Sequence, residues 1–174
     1  MNQIKDGQNS INEKLKTIGL PALQKMLLAN EGPVQSLLGI LFNIDVEVEV
    51  LEQIENYGQI CRWVRLHGMF GDQNITLCTA NSIIPVKSNT PGIIVGIREK
   101  QWSIGKLVEC TGIHTKRQII HVYVDENIFA RSYVIESIGD KPRGIEPDPR
   151  INIMITETFP RSLYNRLIKT TMVE

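Results

Sequence analysis

The sequence predicts an α+β domain in which an antiparallel sheet of about six strands carries helices packed on it. Three observations lead there. Segments of period-2 hydrophobicity follow one another with links short enough for hairpins. Helical spacing is gathered at the start and in the middle of the chain. At 174 residues, with no internal repeat, low-complexity tract or linker, there is room for one core and little room for two.

Residues 1–20 read as a loose polar lead with a weak helical stretch around Ile11 to Ile18. Pro21 stands at a first helical turn, and Ala22 to Leu28 has helical spacing. Asn30-Glu31-Gly32-Pro33 breaks that helix, and a second begins at Val34 and runs to Phe42, so the pair forms a hairpin-like element. The period then changes to two. Ile44, Val46, Val48 and Val50 alternate with Asp45, Glu47 and Glu49, a strand with one wet acidic face. A strand from Gln59 to His67 is followed by a Gly-rich turn over Gly68–Asn74 and a returning strand from Ile75 to Ile84, stopped by Pro85. Pro91 to Gly112 is helical in two pieces broken near Trp102-Ser103. Strands follow at Gln118–Val124 and Arg131–Ile138, then a Pro/Gly-rich loop over Gly139–Pro149, then a last strand at Ile151–Phe159. From Arg161 onward the chain has some helical character. The organisation expected is a lead over 1–20, the domain over 21–164 and a tail over 165–174.

Composition excludes more than it identifies. Nineteen basic and nineteen acidic residues cancel, and no basic run carries interleaved aromatics, so nucleic acid is not an expected partner. The longest apolar stretch, Leu37 to Ile44, is too short to span a bilayer, and Met1 to Lys16 lacks the apolar core of a secretory signal. No membrane partner is expected, and a monomer or homodimer is. Cys61, Cys78 and Cys110 are odd in number and far apart, which suggests small buried or half-buried hydrophobes in a reducing compartment rather than a disulfide framework. Three scattered histidines, His67, His114 and His121, offer no metal-ligand spacing, so neither metal nor organic cofactor is expected. Isoleucine makes up about one residue in seven, a bias that points to an AT-rich genome such as that of an organelle or of some archaea.

The informative anomaly is a pair of charges on apolar strand faces. In the last strand Ile151, Ile153, Ile155 and Phe159 share one face, and Glu157 lies on it. In the strand from Gln59, Arg62 shares its face with Ile60, Val64 and Leu66. Charges aimed at an apolar interior are costly unless paired with each other or with something bound. Three readings remain open: an internal Arg62–Glu157 salt bridge, a strand register slipped by one residue, and a buried site for a small polar anion. Arg65, His67 and Trp63 project from the opposite face, and Arg98, Glu99 and Lys100 read as a solvated helix surface. No phosphate loop, dinucleotide fingerprint, nucleophile elbow or zinc-protease motif is present; Pro91-Gly92-Ile93-Ile94-Val95-Gly96 lacks the lysine and the preceding strand a phosphate loop needs.

The context of the two charges has a family likeness. Leu27-Leu28-Ala29-Asn30-Glu31-Gly32-Pro33-Val34, Arg62-Trp63-Val64-Arg65-Leu66, Ala80-Asn81-Ser82-Ile83-Ile84-Pro85, Ile104-Gly105-Lys106-Leu107, His114-Thr115-Lys116-Arg117 and Thr156-Glu157-Thr158-Phe159-Pro160 occur in this order. Together they resemble the chorismate pyruvate-lyase family, the 4-hydroxybenzoate synthases, in the branch found in archaea, cyanobacteria and algal plastids. The resemblance covers about residues 20–164. It implies an internal ligand cavity under a helical flap and conversion of chorismate to 4-hydroxybenzoate and pyruvate without a cofactor, in a pathway toward quinones. It places Arg62 on the ring carboxylate, Glu157 near the ring hydroxyl, and Ile104 and Val34 at apolar pocket positions. Val34 stands where some members have a larger Met, and Pro33 where a small Ser is common. Two connections, Gly68–Asn74 and Ser137–Arg150, look longer than in the shortest relatives.

The residue types suit that chemistry. A guanidinium fork binds both oxygens of a planar carboxylate. A carboxylate among isoleucines can anchor a hydroxyl, accept a ring proton, or only position the substrate for an internal transfer. Arg117, at a strand entry, is the candidate for the second substrate carboxylate, with an exposed surface arginine as the equal alternative. Another reading of the whole chain is a non-catalytic aromatic-acid-binding domain related to the effector domains of transcription regulators, although the lead is too short for the winged helix that precedes such domains.

Overall fold

A computed structural model of the chain describes residues 11, 13, 15–100, 102–138 and 150–171. Six strands form one antiparallel sheet in the order β1-β2-β3-β6-β5-β4. They are β1 (Glu47–Asn56), β2 (Gln59–Phe70), β3 (Gln73–Pro85), β4 (Thr115–Val124), β5 (Ile128–Ser137) and β6 (Asn152–Pro160). Helices α1 (Ala22–Ala29) and α2 (Val34–Phe42) precede the sheet, α3 (Pro91–Glu99) and α4 (Ile104–Thr111) lie between β3 and β4, and α5 (Arg161–Thr171) closes the described chain. The α+β class expected from the alternating segments is the class observed.

Parity decides which face is buried. Ile60, Arg62, Val64 and Leu66 of β2, Ala80, Ser82 and Ile84 of β3, and Ile153, Ile155, Glu157 and Phe159 of β6 are buried. Their neighbours Trp63, Thr79, Met154 and Thr156 are exposed or half-buried. The helices therefore cover one face and leave the other wet, the usual arrangement for an antiparallel sheet. Phe129 stacks on Phe159 with ring centroids 4.9 Å apart. Tyr164 of α5 packs edge-on against both rings and donates its hydroxyl to the Leu77 carbonyl at 3.0 Å, which anchors the C-terminal helix. Burial pushes the Tyr164 phenol far above its ordinary range.

Several expectations shift at their edges. The Gly68–Asn74 turn is not a turn: β2 continues to Phe70, β3 starts at Gln73, and Gly71-Asp72 alone reverse the chain. Gly68 is instead a strand residue that lets the chain before β1 pass close by. A Cβ there would fall 2.6 Å from Ile44 Cδ1 and 2.9 Å from the Asp45 carbonyl oxygen. The strand expected from Ile44 begins at Glu47, although Ile44, Val46, Val48 and Val50 are indeed half-buried and Asp45, Glu47 and Glu49 exposed. A bulge between Val50 and Glu52 then ends that alternation. The break in the 91–112 region is made by Ser103, whose Oγ caps α4 by accepting from the Lys106 amide at 3.2 Å. Cys61 is half-buried and Cys78 buried, but Cys110 is exposed because its helix turns that side to solvent. The helical stretch near Ile11 is present in its described residues. The loop 139–149 lies outside the described residues.

Candidate ligand-binding cavity

The buried sheet face and two helical elements enclose a cavity of about 420 Å³ that is open on one side. Its floor is the inward face of β2, β3, β5 and β6, and its walls come from the start of α2 and from Ser103 to Glu109 around α4. Arg62, Glu157, Val34, Ile104 and Arg117 all line it. Five residues far apart in sequence are thus brought to one space. The mouth, edged by exposed Ser36, Asp45, Lys106 and Glu109, is why the cavity is not sealed.

Among the described residues the buried charges are Arg62, Arg131 and Glu157, each 1–2% exposed. Their pairing rules out one of the readings left open by the sequence, an internal salt bridge between Arg62 and Glu157. Glu157 Oε2 accepts from Arg131 Nε at 2.8 Å, and its Oε1 accepts from the Tyr133 hydroxyl at 2.8 Å. Register explains this. Glu157 stands directly opposite Arg131 across β5 and β6. Arg62 stands opposite Ser82 on β3, which in turn is opposite Ile155. Arg62 and Glu157 are therefore two strands apart and two residues offset, on the order of 12 Å between their backbones.

Arg62 is left with one contact. Its Nη2 donates to the Trp102 carbonyl at 2.9 Å, while Nε and Nη1 have no partner. Burial lowers its pKa from the ordinary arginine value, yet a guanidinium keeps its proton at any physiological pH. Among the described residues the buried interior thus carries two cations against one anion, and of the two arginines Arg62 is the one that lines the cavity. Buried donors without acceptors are uncommon in folded proteins, and each calls for an explanation.

Tyr133 lies beside Glu157, and burial, then the Glu157 charge, push its phenol well above the ordinary range. It remains a hydrogen-bond donor throughout the physiological range. The Arg131 guanidinium also sits 5.0 Å over the Tyr133 ring. Arg117 is half-buried on the same face; its Nη1 donates to the Glu31 carbonyl at 3.0 Å and its Nε has no partner. Arg65 and His67 turn away from the cavity toward Glu49, as strand parity requires, and Arg98, on α3, pairs with Glu55 at 2.6 Å on the surface.

Arg131 and Tyr133 are the functional-looking residues the sequence reading missed. The same alternation that singles out Arg62 applies to them, since Arg131, Tyr133 and Ile135 share a buried face. The strand was expected to begin at Arg131, where a first residue has no preceding partner to fix its parity; it begins at Ile128. Ser82, buried between Arg62 and Ile155, was also not singled out. Among the described residues there is no group of three His, Cys, Asp or Glu side chains able to hold a metal ion, and no helix long and apolar enough to cross a membrane. No protein-family model matches the chain, and no curated protein matches it.

Proposed function

We propose that the protein is a chorismate pyruvate-lyase. The observation that carries the reading is Arg62, a buried guanidinium that lines the cavity and whose Nε and Nη1 have no partner, while Glu157, the one buried carboxylate among the described residues, is already matched by another arginine. Such a site wants a ligand carboxylate. The aliphatic lining from Val34, Val64, Ile104, Ile135 and Ile155 suits a six-membered carbon ring. With the carboxylate on Arg62, the far side of such a ring is directed across the sheet toward Tyr133 and Glu157, polar partners for a ring hydroxyl.

In the proposed reaction the bond between the ring carbon and the enolpyruvyl oxygen breaks. The hydrogen on the neighbouring, hydroxyl-bearing carbon leaves, and the ring becomes aromatic as 4-hydroxybenzoate. A hydrogen added at the enolpyruvyl methylene makes the second product pyruvate, so the reaction balances without an oxidant or reductant. Aromatisation supplies the driving force, and the protein holds a reactive conformer in a largely dry site. Both Glu157 oxygens already accept a hydrogen bond, which favours a positioning role for this carboxylate and a transfer of hydrogen within the substrate. Arg117 and Lys106 at the mouth are the cations placed to attract the enolpyruvyl carboxylate.

The same occupied carboxylate favours one second reading, a domain that binds an aromatic acid without converting it. Incubation with chorismate separates the two. Equimolar 4-hydroxybenzoate and pyruvate, formed faster than in buffer, is the lyase result. Saturable binding of 4-hydroxybenzoate with no turnover of chorismate is the binding-domain result, and the absence of both turnover and binding would discard both readings.

A further inference from the structure

We propose that Arg131 is a positioning residue that ties Glu157 to the turn joining α1 and α2, so that the state of the carboxylate governs how firmly that turn closes the cavity. The inference deepens the lyase reading and rests on it only for its kinetic consequence.

Arg131 is fully buried and divides its donors between two walls. Nε holds Glu157 on the floor, and Nη1 donates to the Asn30 carbonyl in the roof. Asn30 begins a self-contained turn: its Nδ2 donates to the Gly32 carbonyl at 2.9 Å and its Oδ1 accepts from the Gly32 amide at 3.0 Å. Directly after this turn come Pro33, Val34, Gln35 and Ser36, which line the cavity. The roof is thus fastened through main-chain carbonyls, by Arg131 at Asn30 and by Arg117 at Glu31.

The two fastenings differ in what holds the arginine. Arg117 is half-buried and donates to Glu31 without a carboxylate partner of its own. Arg131 is buried, and its counter-charge is Glu157. A guanidinium deprived of its anion in such surroundings is strongly destabilised and moves to whatever solvation it can reach. Neutralising Glu157 therefore loosens the Asn30 contact, although no hydrogen bond joins Glu157 to the turn directly. Contact of a ligand hydroxyl with the carboxylate and closure of the roof become one event, coupled through a single planar group.

Hydrogen–deuterium exchange in the unliganded protein tests this without any reaction. Glu157→Gln and Arg131→Lys should each speed exchange of the amides at Asn30, Glu31 and Gly32 about tenfold, the equivalent of one hydrogen bond to a charged group. Arg62→Met, which alters the same cavity but not this connection, should leave them unchanged. Added 4-hydroxybenzoate should slow the turn in the native protein and not in Arg131→Lys. Unchanged exchange at the turn in Glu157→Gln would overturn the proposal. So would acceleration spread equally over the β2 and β3 amides, because that is general loss of stability and not coupling. A native protein inactive on chorismate would end the lyase reading and leave the exchange result standing by itself.

Discussion

Arg62 and Arg131 are the same residue type in the same interior, and their surroundings are opposite. Arg131 faces a carboxylate, an aromatic ring and a main-chain carbonyl, and of its three nitrogens Nη2 alone has no partner. Arg62 faces one carbonyl and an open cavity. A buried arginine with its charge matched contributes to the fold, because removing either partner strands the other. A buried arginine with no anion costs stability in the empty protein, a cost that the proposed ligand carboxylate on Arg62 would offset. The comparison separates architecture from function within one sheet.

The largest expected effect comes from the matched side. Arg131→Met leaves Glu157 buried with only the Tyr133 hydroxyl, and should lower unfolding stability by about 3–5 kcal/mol, read as a fall in the urea midpoint. If the Arg131 substitution proves milder than the same change at Arg62, the two arginines do not differ as described.

At Arg62 the expected pattern is reversed. Arg62→Met removes an unmatched buried charge, and the apolar side chain can pack against Val64 and Ile155 in the cavity. Stability should change by no more than about 1 kcal/mol, in either direction. Affinity for 4-hydroxybenzoate should instead fall about 30- to 1000-fold, as expected on losing about 2–4 kcal/mol of charge-assisted bidentate contact. Calorimetric titration beside urea unfolding reads both quantities on one preparation. Native-like binding in this variant would remove Arg62 from the site.

The contrast also marks how far the sequence could be read. Period-2 alternation was enough to place Arg62 and Glu157 on buried faces, and the helical breaks at Asn30–Pro33 and at Trp102-Ser103 were legible from Pro, Gly and Ser chemistry. What alternation cannot say is which strand lies beside which. β6 inserts between β3 and β5, so Glu157 meets Arg131 and not Arg62, and that choice depends on pairing across more than twenty residues of chain. Gly68 was misread for a related reason. A glycine signals a turn locally, but here it is required by the passage of Ile44 against β2, a contact invisible in a linear pattern. The roof was legible as two helices and a break, while the arginines that fasten it could not be assigned before the register was known.

A smaller effect is expected at Tyr133, which belongs to the matched side but touches the ligand space. Tyr133→Phe removes the second hydrogen bond to Glu157 and should cost about 1–3 kcal/mol, since a charged acceptor loses one buried partner. The residue also predicts the sign of an alkaline transition. Its folded-state pKa is raised well above the ordinary phenol value of 10.0 by burial and by Glu157. The folded protein therefore holds this proton more tightly than the unfolded chain does. That contribution is whole below pH 10, and it is lost as pH rises from there toward the folded-state value. The urea midpoint of the native protein should fall between pH 9 and pH 11, and Tyr133→Phe should fall less, with buried Tyr164 accounting for part of what remains. An equal fall in both proteins would mean that Tyr133 is not held neutral by its surroundings.

The smallest predicted change sits on the unmatched side and tests what little holds Arg62. Its sole fixed contact is the Trp102 carbonyl, and the next residue, Ser103, fixes that carbonyl by capping α4. Ser103→Ala removes the side-chain acceptor for the Lys106 amide and should cost about 1 kcal/mol of stability, the ordinary value for such a cap. Its effect on binding should exceed what stability alone explains, because the α4 start and the Trp102 carbonyl orient a guanidinium that has no other tether. Affinity for 4-hydroxybenzoate should drop several-fold while the protein remains fully folded at the temperature of the titration. No such drop is expected for a substitution at another helix start, for instance Thr90→Ala before α3, whose side chain makes no cap bond and does not line the cavity. If Ser103→Ala lowers the urea midpoint and leaves affinity at the native value, Arg62 is oriented by the packing of β2 and β3 and not by α4.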